Sequence, residues 1–172
     1  THIDLKVLDR KKIKLLTLSK NKKLNTVTST AEHAWGLVLS LSRNIIPYYH
    51  DIILRRNWRR NLYLNYNFQL YGKTIGIIGY GRLGKMISRY AKSFGMKILI
   101  FDKNKKKNFQ NYSSLQKIFK ISDVVSVNLD YNKSTHGIIS KKIVSNAKDR
   151  QVLINTSRGE IIEDGVLKIY LN

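Results

Sequence analysis

The chain has 172 residues, with 32 Lys and Arg against 11 Asp and Glu, so its formal net charge is +21. Its 42% of hydrophobic residues excludes general disorder. No apolar run approaches the roughly 18 residues of a membrane-spanning helix, so we expect a soluble protein without a membrane partner. Because cysteine is absent, disulfides, thiolate nucleophiles and cysteine-bound zinc are excluded. No metal site is predicted, and the cytoplasm is the expected compartment.

The excess of positive charge has two interpretations. Lys and Arg clustered on one face would bind nucleic acid by releasing counterions from its phosphate backbone. A coding bias toward Lys, Asn and Ile along the whole chain would give the same charge without such a face. We favour the bias, because net charge governs solubility and association rather than fold, and we therefore predict no nucleic-acid partner.

The N-terminal part of the chain predicts one strand and one helix. Residues 13–18 have the composition of a short strand, and a polar loop follows over 19–25. Ser29 and Glu32 have the spacing of a capping box, in which Ser29 would satisfy the amide of Glu32 and Glu32 would reach back. An apolar stripe at helical spacing follows, so we predict a helix that starts at Ser29 and ends before Pro47.

Residues 48–71 form a basic stretch interleaved with aromatic residues. Aromatic side chains among cations can bind single-stranded nucleic acid by stacking on its bases. The alternative, which we favour, is a long ordered connection whose aromatic side chains pack on a neighbouring domain or subunit.

From residue 73 onward, predicted strands and helices alternate with short turns. The strands are 73–79, 97–101, 123–128 and 151–155, and the helices are 83–94, 114–120, 140–147 and 163–171. Gly95 stands where a left-handed C-cap would end the first of these helices. Such alternation is typical of a parallel, doubly wound α/β sheet of Rossmann type. We expect the fourth strand to lie at an unpaired edge of an incomplete sheet.

Gly79, Gly81 and Gly84 form a G-x-G-x-x-G motif between a predicted strand and a predicted helix, and Asp102 ends the next strand. This context indicates a dinucleotide site, although a glycine-rich turn that binds nothing is the alternative. Gly79 would allow the tight turn, Gly81 the close approach of a pyrophosphate, and Gly84 the close packing of helix and strand. The N-terminus of the helix would offer its amides to the phosphates.

Asp102 predicts which cofactor the motif would bind. Its carboxylate would accept hydrogen bonds from the adenosine ribose hydroxyls and would repel a 2′-phosphate, so NAD is favoured over NADP. Lys103 and Lys105 follow closely, and their positive charge would weaken this preference.

From about residue 30 onward, the chain also resembles the D-isomer-specific 2-hydroxyacid dehydrogenases, a family that includes phosphoglycerate dehydrogenases and glyoxylate or hydroxypyruvate reductases. The segments that carry the resemblance are Thr30-Ala31-Glu32-His33, Trp58, Gly72–Gly84, Phe94-Gly95-Met96, Ser122–Val125 and Ile154–Gly159. The resemblance implies three parts. Residues 1–28 would end the first segment of a flavodoxin-like substrate domain, 29–71 would be a connecting helix and dimerisation arm, and 72–172 would be the first four strands of an NAD-binding Rossmann domain.

The resemblance also implies a role for individual residues. The backbone amides of Arg82 and Leu83 would meet the pyrophosphate. The nicotinamide half of the cleft would be lined by Thr135, Thr156 and Ser157. Arg158 would be the catalytic residue, because its planar guanidinium would bind the carboxylate and carbonyl of a 2-oxoacid and polarise the carbonyl for hydride attack. Its place after the fourth predicted strand, where such sheets bind ligands, favours this role over that of a surface arginine.

Two features depart from the family pattern. The family usually has His-x-Pro after its third strand, whereas this chain has Asn128-Leu129-Asp130. We expect a looser loop and, from the added negative charge beside an anionic cofactor, weaker binding. The resemblance implies that the family's catalytic glutamate and its general acid/base histidine would lie beyond residue 172. None of the four histidines of the chain matches the latter, and neither Glu160 nor Glu163 matches the former.

The sequence therefore predicts an internal fragment, inactive alone, of an NAD-dependent enzyme that transfers hydride between the cofactor and a 2-oxo or 2-hydroxy carboxylate. 3-Phosphoglycerate, glyoxylate and hydroxypyruvate are the expected substrates, and residues 48–71 are the expected interface of a homodimer. Two alternatives remain open. One is a regulatory, corepressor-like module that binds NAD(H) without turnover, and the other is a nucleic-acid binder built on residues 48–71.

Overall fold

The computed structural model describes residues 3–16, 24, 26–58, 67–103 and 111–171. The helices are α1 Leu5–Arg10, α2 Ser29–Ser42, α3 Ile45–Ile53, α4 Arg82–Ser93, α5 Leu115–Ile121, α6 Lys141–Val144 and α7 Val166–Leu171, with a 3-10 helix at Gly159–Ile161. The strands are β1 Thr74–Ile78, β2 Lys97–Phe101, β3 Val124–Val127 and β4 Val152–Asn155. None of the helices in these ranges combines the length and the apolar character needed to cross a membrane.

The four strands form one parallel sheet in the order β2-β1-β3-β4. Ile77 of β1 lies opposite Ile100 of β2 on one side and Ser126 of β3 on the other. All of β3 is buried, as in parallel sheets that helices cover on both faces. This confirms the predicted doubly wound α/β sheet, with β4 at an edge. The chain reverses its winding direction between β1 and β3, and ligands of such sheets bind where the carboxyl ends of those strands diverge.

Each face of the sheet is covered by its own hydrophobic cluster. Helices α2 and α4 build one cluster, in which Trp35 lies 5.2 Å from Phe94 and 6.0 Å from Tyr90 between ring centroids. Helices α5, α6 and α7 contribute to the other. A Cβ added at Gly76 would lie 2.3 Å from a methyl carbon of Ile118, so α5 packs directly on β1. The two layers fix the strand ends, and hence the loops that leave them.

The first helix was not predicted. Residues 5–10 form α1, whose N-cap Asp4 accepts hydrogen bonds from the amides of Lys6 and Val7 at 2.9 and 3.2 Å. Such a cap satisfies amides that have no partner within the helix. The strand prediction for 13–18 is wrong over 13–16, which are exposed and form no strand. Residues 17 and 18 lie outside the described residues.

Helix α2 begins at Ser29 as predicted, but its cap is different. The N-cap is Thr28, and its hydroxyl donates a hydrogen bond to the carboxylate of Glu32 at 2.5 Å. The capping box between Ser29 and Glu32 is therefore wrong. Glu32 lies four residues after the true N-cap, so its carboxylate meets a side-chain hydroxyl instead of a backbone amide.

Helix α2 ends at Ser42, before Pro47 as predicted, but a further helix follows at once. Asn44 has φ of +50° and separates α2 from α3. Ile45, which lies within the predicted extent of this helix, begins α3 instead. Pro47 lies in the first turn of α3, where a missing amide hydrogen costs little because first-turn amides have no helical partner.

Later boundaries shift by a few residues. Gly95 has φ of +70°, which confirms the left-handed C-cap. The last helix begins at Val166 instead of Glu163, after an unpredicted 3-10 turn. Residues 59–66, within the basic aromatic stretch, lie outside the described residues, and so does Lys105.

An ion pair holds the amino-terminal edge of the sheet. Asp123 accepts hydrogen bonds from Lys148 Nζ at 2.6 Å and from the amide of Thr74 at 2.8 Å. Burial acts to raise the pKa of Asp123, but the two hydrogen bonds and the nearby positive charge outweigh it and hold this pKa below its usual 3.8. The carboxylate therefore stays charged and ties β1, β3 and the segment before β4 together.

Candidate functional site

The glycine loop, Gly79–Gly84, runs from the end of β1 into the first turn of α4. It contains two glycines that no other residue could replace without strain. Gly79 has φ of +92°, and a Cβ there would lie 2.7 Å from the carbonyl oxygen of Asn128. A Cβ at Gly84 would lie 2.1 Å from the carbonyl oxygen of Gly79. Backbone packs against backbone at both positions, as the motif predicts, so both glycines serve the shape of the loop.

Gly81, between them, is different. Its φ of −74° is ordinary for any residue, and among the described residues no atom lies within 4 Å of an added Cβ. Gly81 is the N-cap of α4, so the space that its missing side chain leaves open adjoins the first-turn amides of the helix. Those amides and the helix dipole favour an anion there, which is what a pyrophosphate would need.

Asp102 lies beside this loop. It follows β2, and its Oδ2 accepts a hydrogen bond from the amide of Tyr80 at 2.6 Å. The structure therefore places Asp102, the residue predicted to bind the ribose, next to the glycine loop. The adjacent Lys103 donates a hydrogen bond through Nζ to the carbonyl of Ser134, in the loop after β3. The ammonium of Lys103 thus connects the loops that follow β2 and β3.

The loop after β3 is held by side-chain hydrogen bonds where the family usually has a proline. Asn128 Nδ2 donates to the carbonyl of Ser126 and approaches its hydroxyl, both at 3.1 Å. Thr135 Oγ1 accepts from the amide of Asn132 and donates to the carbonyl of Asp130, both at 2.8 Å. Side chains thus shape the loop that we expected to be loose.

Thr135 is 3% exposed, and its hydroxyl is used within this loop. The side chain therefore holds the loop after β3 in its shape from within. Its direct contact with a cofactor stays a prediction.

Asn155 organises the loop after β4. From the sequence, this residue was named only within the Ile154–Gly159 segment and was given no role of its own. Its Oδ1 accepts from the amide of Ser157, and its Nδ2 donates to the carbonyl of Arg158, both at 3.0 Å. Ser157 Oγ donates in turn to the carbonyl of Leu129, so the loops after β3 and β4 are joined. The signal for this role was present in the sequence, because Asn at the start of a turn commonly bonds an amide two residues later.

Thr156 and Ser157 line a cleft of about 490 Å³. The lining residues are Ser29, Thr30, His33, Leu37, Asn155, Thr156 and Ser157. The volume suits a small molecule. The first turns of α2 were not predicted to belong to the site. The sequence signal for these turns was the Thr30–His33 segment, which carries part of the family resemblance but was given no role in the site.

Arg158 is exposed at the N-cap of the 3-10 helix, and its Nη1 lies 3.2 Å from the carbonyl of Ser157. Its guanidinium is a fixed positive charge at the carboxyl edge of the sheet, where the loops after β1 and β2 also lie. This edge therefore combines open amides, a carboxylate and an exposed arginine. Such a set can hold the phosphates and ribose of a dinucleotide and attract the carboxylate of a second ligand.

Comparison with known proteins identifies the domain. The family model for the D-isomer specific 2-hydroxyacid dehydrogenase, NAD binding domain, matches residues 35–172. The D-3-phosphoglycerate dehydrogenase of Bacillus subtilis is 35% identical over 148 residues, which cover 83% of this chain and 27% of that protein. The glycerate dehydrogenase of Methylorubrum extorquens is 34% identical over 152 residues, which cover 86% of this chain and 46% of that protein.

Solved structures agree with the sequence matches. The crystal structure of D-lactate dehydrogenase from Aquifex aeolicus, complexed with NAD and lactic acid, superposes with a TM-score of 0.82 at 30% identity. The match covers 99% of this chain and 50% of that one. The chain spans less than half the length of the two curated relatives. It belongs to the D-isomer specific 2-hydroxyacid dehydrogenases and carries the NAD-binding domain of that family.

Proposed function

We propose that the protein carrying this chain is an NAD-dependent D-2-hydroxyacid dehydrogenase. The observation that supports this most is the contrast within the glycine loop. Gly79 and Gly84 are required by backbone packing, whereas Gly81 faces open space beside the helix N-terminus and Asp102. In a loop that served only as a turn, a capping side chain such as Ser or Asp could fill the middle position.

The residues of this chain would bind and orient the reactants. The amides of Arg82 and Leu83 hold the pyrophosphate, and Asp102 accepts hydrogen bonds from the ribose. When bound, NAD supplies or accepts the hydride. Arg158 holds the carboxylate of the 2-oxoacid, and its fixed charge draws electron density from the adjacent carbonyl as the alkoxide develops. No residue of this chain is assigned the transfer of the proton.

The chemistry of Arg158 limits the substrate to a carboxylate next to the reacting carbon. Within this class we propose 3-phosphoglycerate, glyoxylate or hydroxypyruvate. The names of relatives support the choice, since they include D-3-phosphoglycerate dehydrogenase and glyoxylate reductase. We keep the division into residues 1–28, 29–71 and 72–172 as a proposed domain organisation. The absence of cysteine supports the cytoplasm as the proposed compartment.

The test is a titration of the full-length protein with NADH and NADPH, followed by fluorescence, with turnover measured on a panel of 2-oxoacids. Asp102→Ala should weaken NADH binding by about tenfold or more, since it removes hydrogen bonds to an ionised group. Arg158→Ala should leave NADH affinity within about twofold and lower kcat/KM by about 100-fold, a loss of about 3 kcal/mol of transition-state stabilisation.

Lys92→Ala, which removes an exposed positive charge from the last turn of α4, is the matched control and should change neither quantity. NADH binding without turnover on any 2-oxoacid would favour the corepressor-like alternative. Failure of the wild-type protein to bind NADH would contradict the proposal.

We propose that a second copy of the chain covers helix α3 and the residues after it. The large apolar side chains there that are more than half exposed are Ile45, Ile46, Tyr49, Ile53, Leu54 and Trp58. A row of this kind is typical of a protein interface, because removing apolar side chains from water lowers the free energy. Affinity of the protein for single-stranded DNA that falls steeply with salt would instead support the nucleic-acid alternative for residues 48–71.

A further inference from the structure

The side chain of Arg82 reaches a part of the chain far from the glycine loop in sequence. Its Nη1 lies 3.0 Å from the carbonyl oxygen of Leu24 and 2.5 Å from that of Val27. Both carbonyls belong to the segment of residues 24–28, which we name the linker segment, and which ends at Thr28, the N-cap of α2. Of this segment, the structure describes residue 24 and residues 26–28.

The two ends of Arg82 therefore face two different parts of the protein. Its backbone opens α4 directly after Gly81, at the proposed pyrophosphate position. Its guanidinium binds a turn of the linker segment, since the carbonyl of Leu24 also accepts a hydrogen bond from the amide of Val27 at 3.1 Å. Hydrogen bonds from a charged donor are stronger than those between neutral groups. The guanidinium thus adds two charge-assisted hydrogen bonds to this turn.

We propose that Arg82 is a positioning residue that fixes the linker segment against the glycine loop. The residues before α2 join the sheet domain through this segment, and the first turns of α2 line the cleft that also contains Thr156 and Ser157. By holding the linker segment, Arg82 therefore also fixes the position of the first turns of α2, and so of one wall of the cleft, relative to the glycine loop. The kinetic part of this inference rests on the proposed function, whereas its structural part does not.

The experiment compares backbone amide exchange, measured by NMR, in the full-length protein and in its Arg82→Ala and Arg89→Ala variants. Arg82→Ala should accelerate exchange at the Val27 amide by about tenfold, which corresponds to about 1.4 kcal/mol, and should leave the amides of β1 unchanged. Arg89→Ala removes the same charge from the same helix and should change neither. Arg82→Lys, which retains a charged donor, should restore part of the protection at Val27.

Steady-state kinetics supply the second readout. Arg82→Ala should raise KM for the 2-oxoacid by about tenfold and change the Kd for NADH much less. Unchanged exchange at Val27 together with weaker NADH binding would overturn the proposal, because the guanidinium would then act on the cofactor. Faster exchange throughout β1 and α4 would also overturn it, since Arg82 would then support the whole domain. If the wild-type protein failed to bind NADH, the proposed function would fail while the exchange at Val27 could still be measured.

Discussion

Replacing Gly81 with alanine tests the candidate site most directly, because it separates ligand binding from folding. The φ of −74° at Gly81 is allowed for alanine, and its ψ of −153° lies just beyond the extended region. The added methyl group meets no described atom within 4 Å. Alanine is a poorer N-cap than glycine by about 1 kcal/mol. Its smaller conformational entropy in the unfolded chain recovers about 0.4 to 1 kcal/mol of this loss. The free energy of unfolding should therefore change by less than about 1 kcal/mol.

The effect on cofactor affinity should be much larger. The methyl group would occupy the space through which the pyrophosphate approaches the first-turn amides of α4. Displacing the phosphates would weaken one or two hydrogen bonds to a charged group, each worth about 1.5 to 3 kcal/mol. Since 1.4 kcal/mol is a tenfold change in an equilibrium constant, the Kd for NADH should rise by about ten- to a hundredfold.

Thermal unfolding and fluorescence titration with NADH measure the two quantities on the same protein samples. A Gly81→Ala variant that keeps both its wild-type stability and its wild-type affinity for NADH would refute the assignment of this space to the pyrophosphate. A variant that unfolds would refute the claim that Gly81 has no role in packing.

Three further predictions concern stability and assembly. Gly84→Ala should destabilise the domain by about 3 kcal/mol in urea denaturation, because its Cβ meets a backbone oxygen that cannot yield; a loss below 1 kcal/mol would contradict this packing. Asp123→Asn should cost about 1 kcal/mol at pH 7. The folded pKa of Asp123 lies below the unfolded value of 3.8, so the carboxylate stabilises the fold above pH 3.8. The difference in unfolding free energy between Asp123→Asn and wild type should therefore vanish as the pH falls through the folded pKa. A difference that persists below that pH would point to an effect of the asparagine side-chain amide itself. Trp58→Ala should weaken the proposed homodimer in light scattering, and an unchanged dimer would show that this residue lies outside the interface.

The sheet could be predicted from sequence because its signals are local and redundant. Buried parallel strands appear as short apolar runs, and Gly95 and the glycine motif mark the ends of the elements between them. The N-terminal part lacked such redundancy. Asp4 caps a helix of only six residues, too short to show a periodic stripe. The cap of α2 moved by one residue because Thr28 and Ser29 carry the same functional group, and only the three-dimensional position of Glu32 distinguishes them.

The same limit explains what was missed in the site. The topology fixes the positions of the glycine motif, of Asp102 after the second strand and of Arg158 after the fourth. Their convergence at one edge of the sheet therefore follows from the order of the elements. The contacts of Arg82 with the linker segment join residues more than 50 positions apart, and no periodicity encodes them. Lys103, weighed only for its charge near a ribose, contacts the loop after β3 for the same reason.

The side-chain bracing of the loop after β3 has a consequence for its response to temperature. A proline restricts the backbone by removing conformations, and that restriction is equally present in cold and warm protein. Hydrogen bonds such as those of Thr135 hold a loop through enthalpy, and heating shifts the balance toward the many open conformations that they exclude. We therefore expect this loop to melt locally below the midpoint of global unfolding, so that warming weakens cofactor affinity before it unfolds the domain.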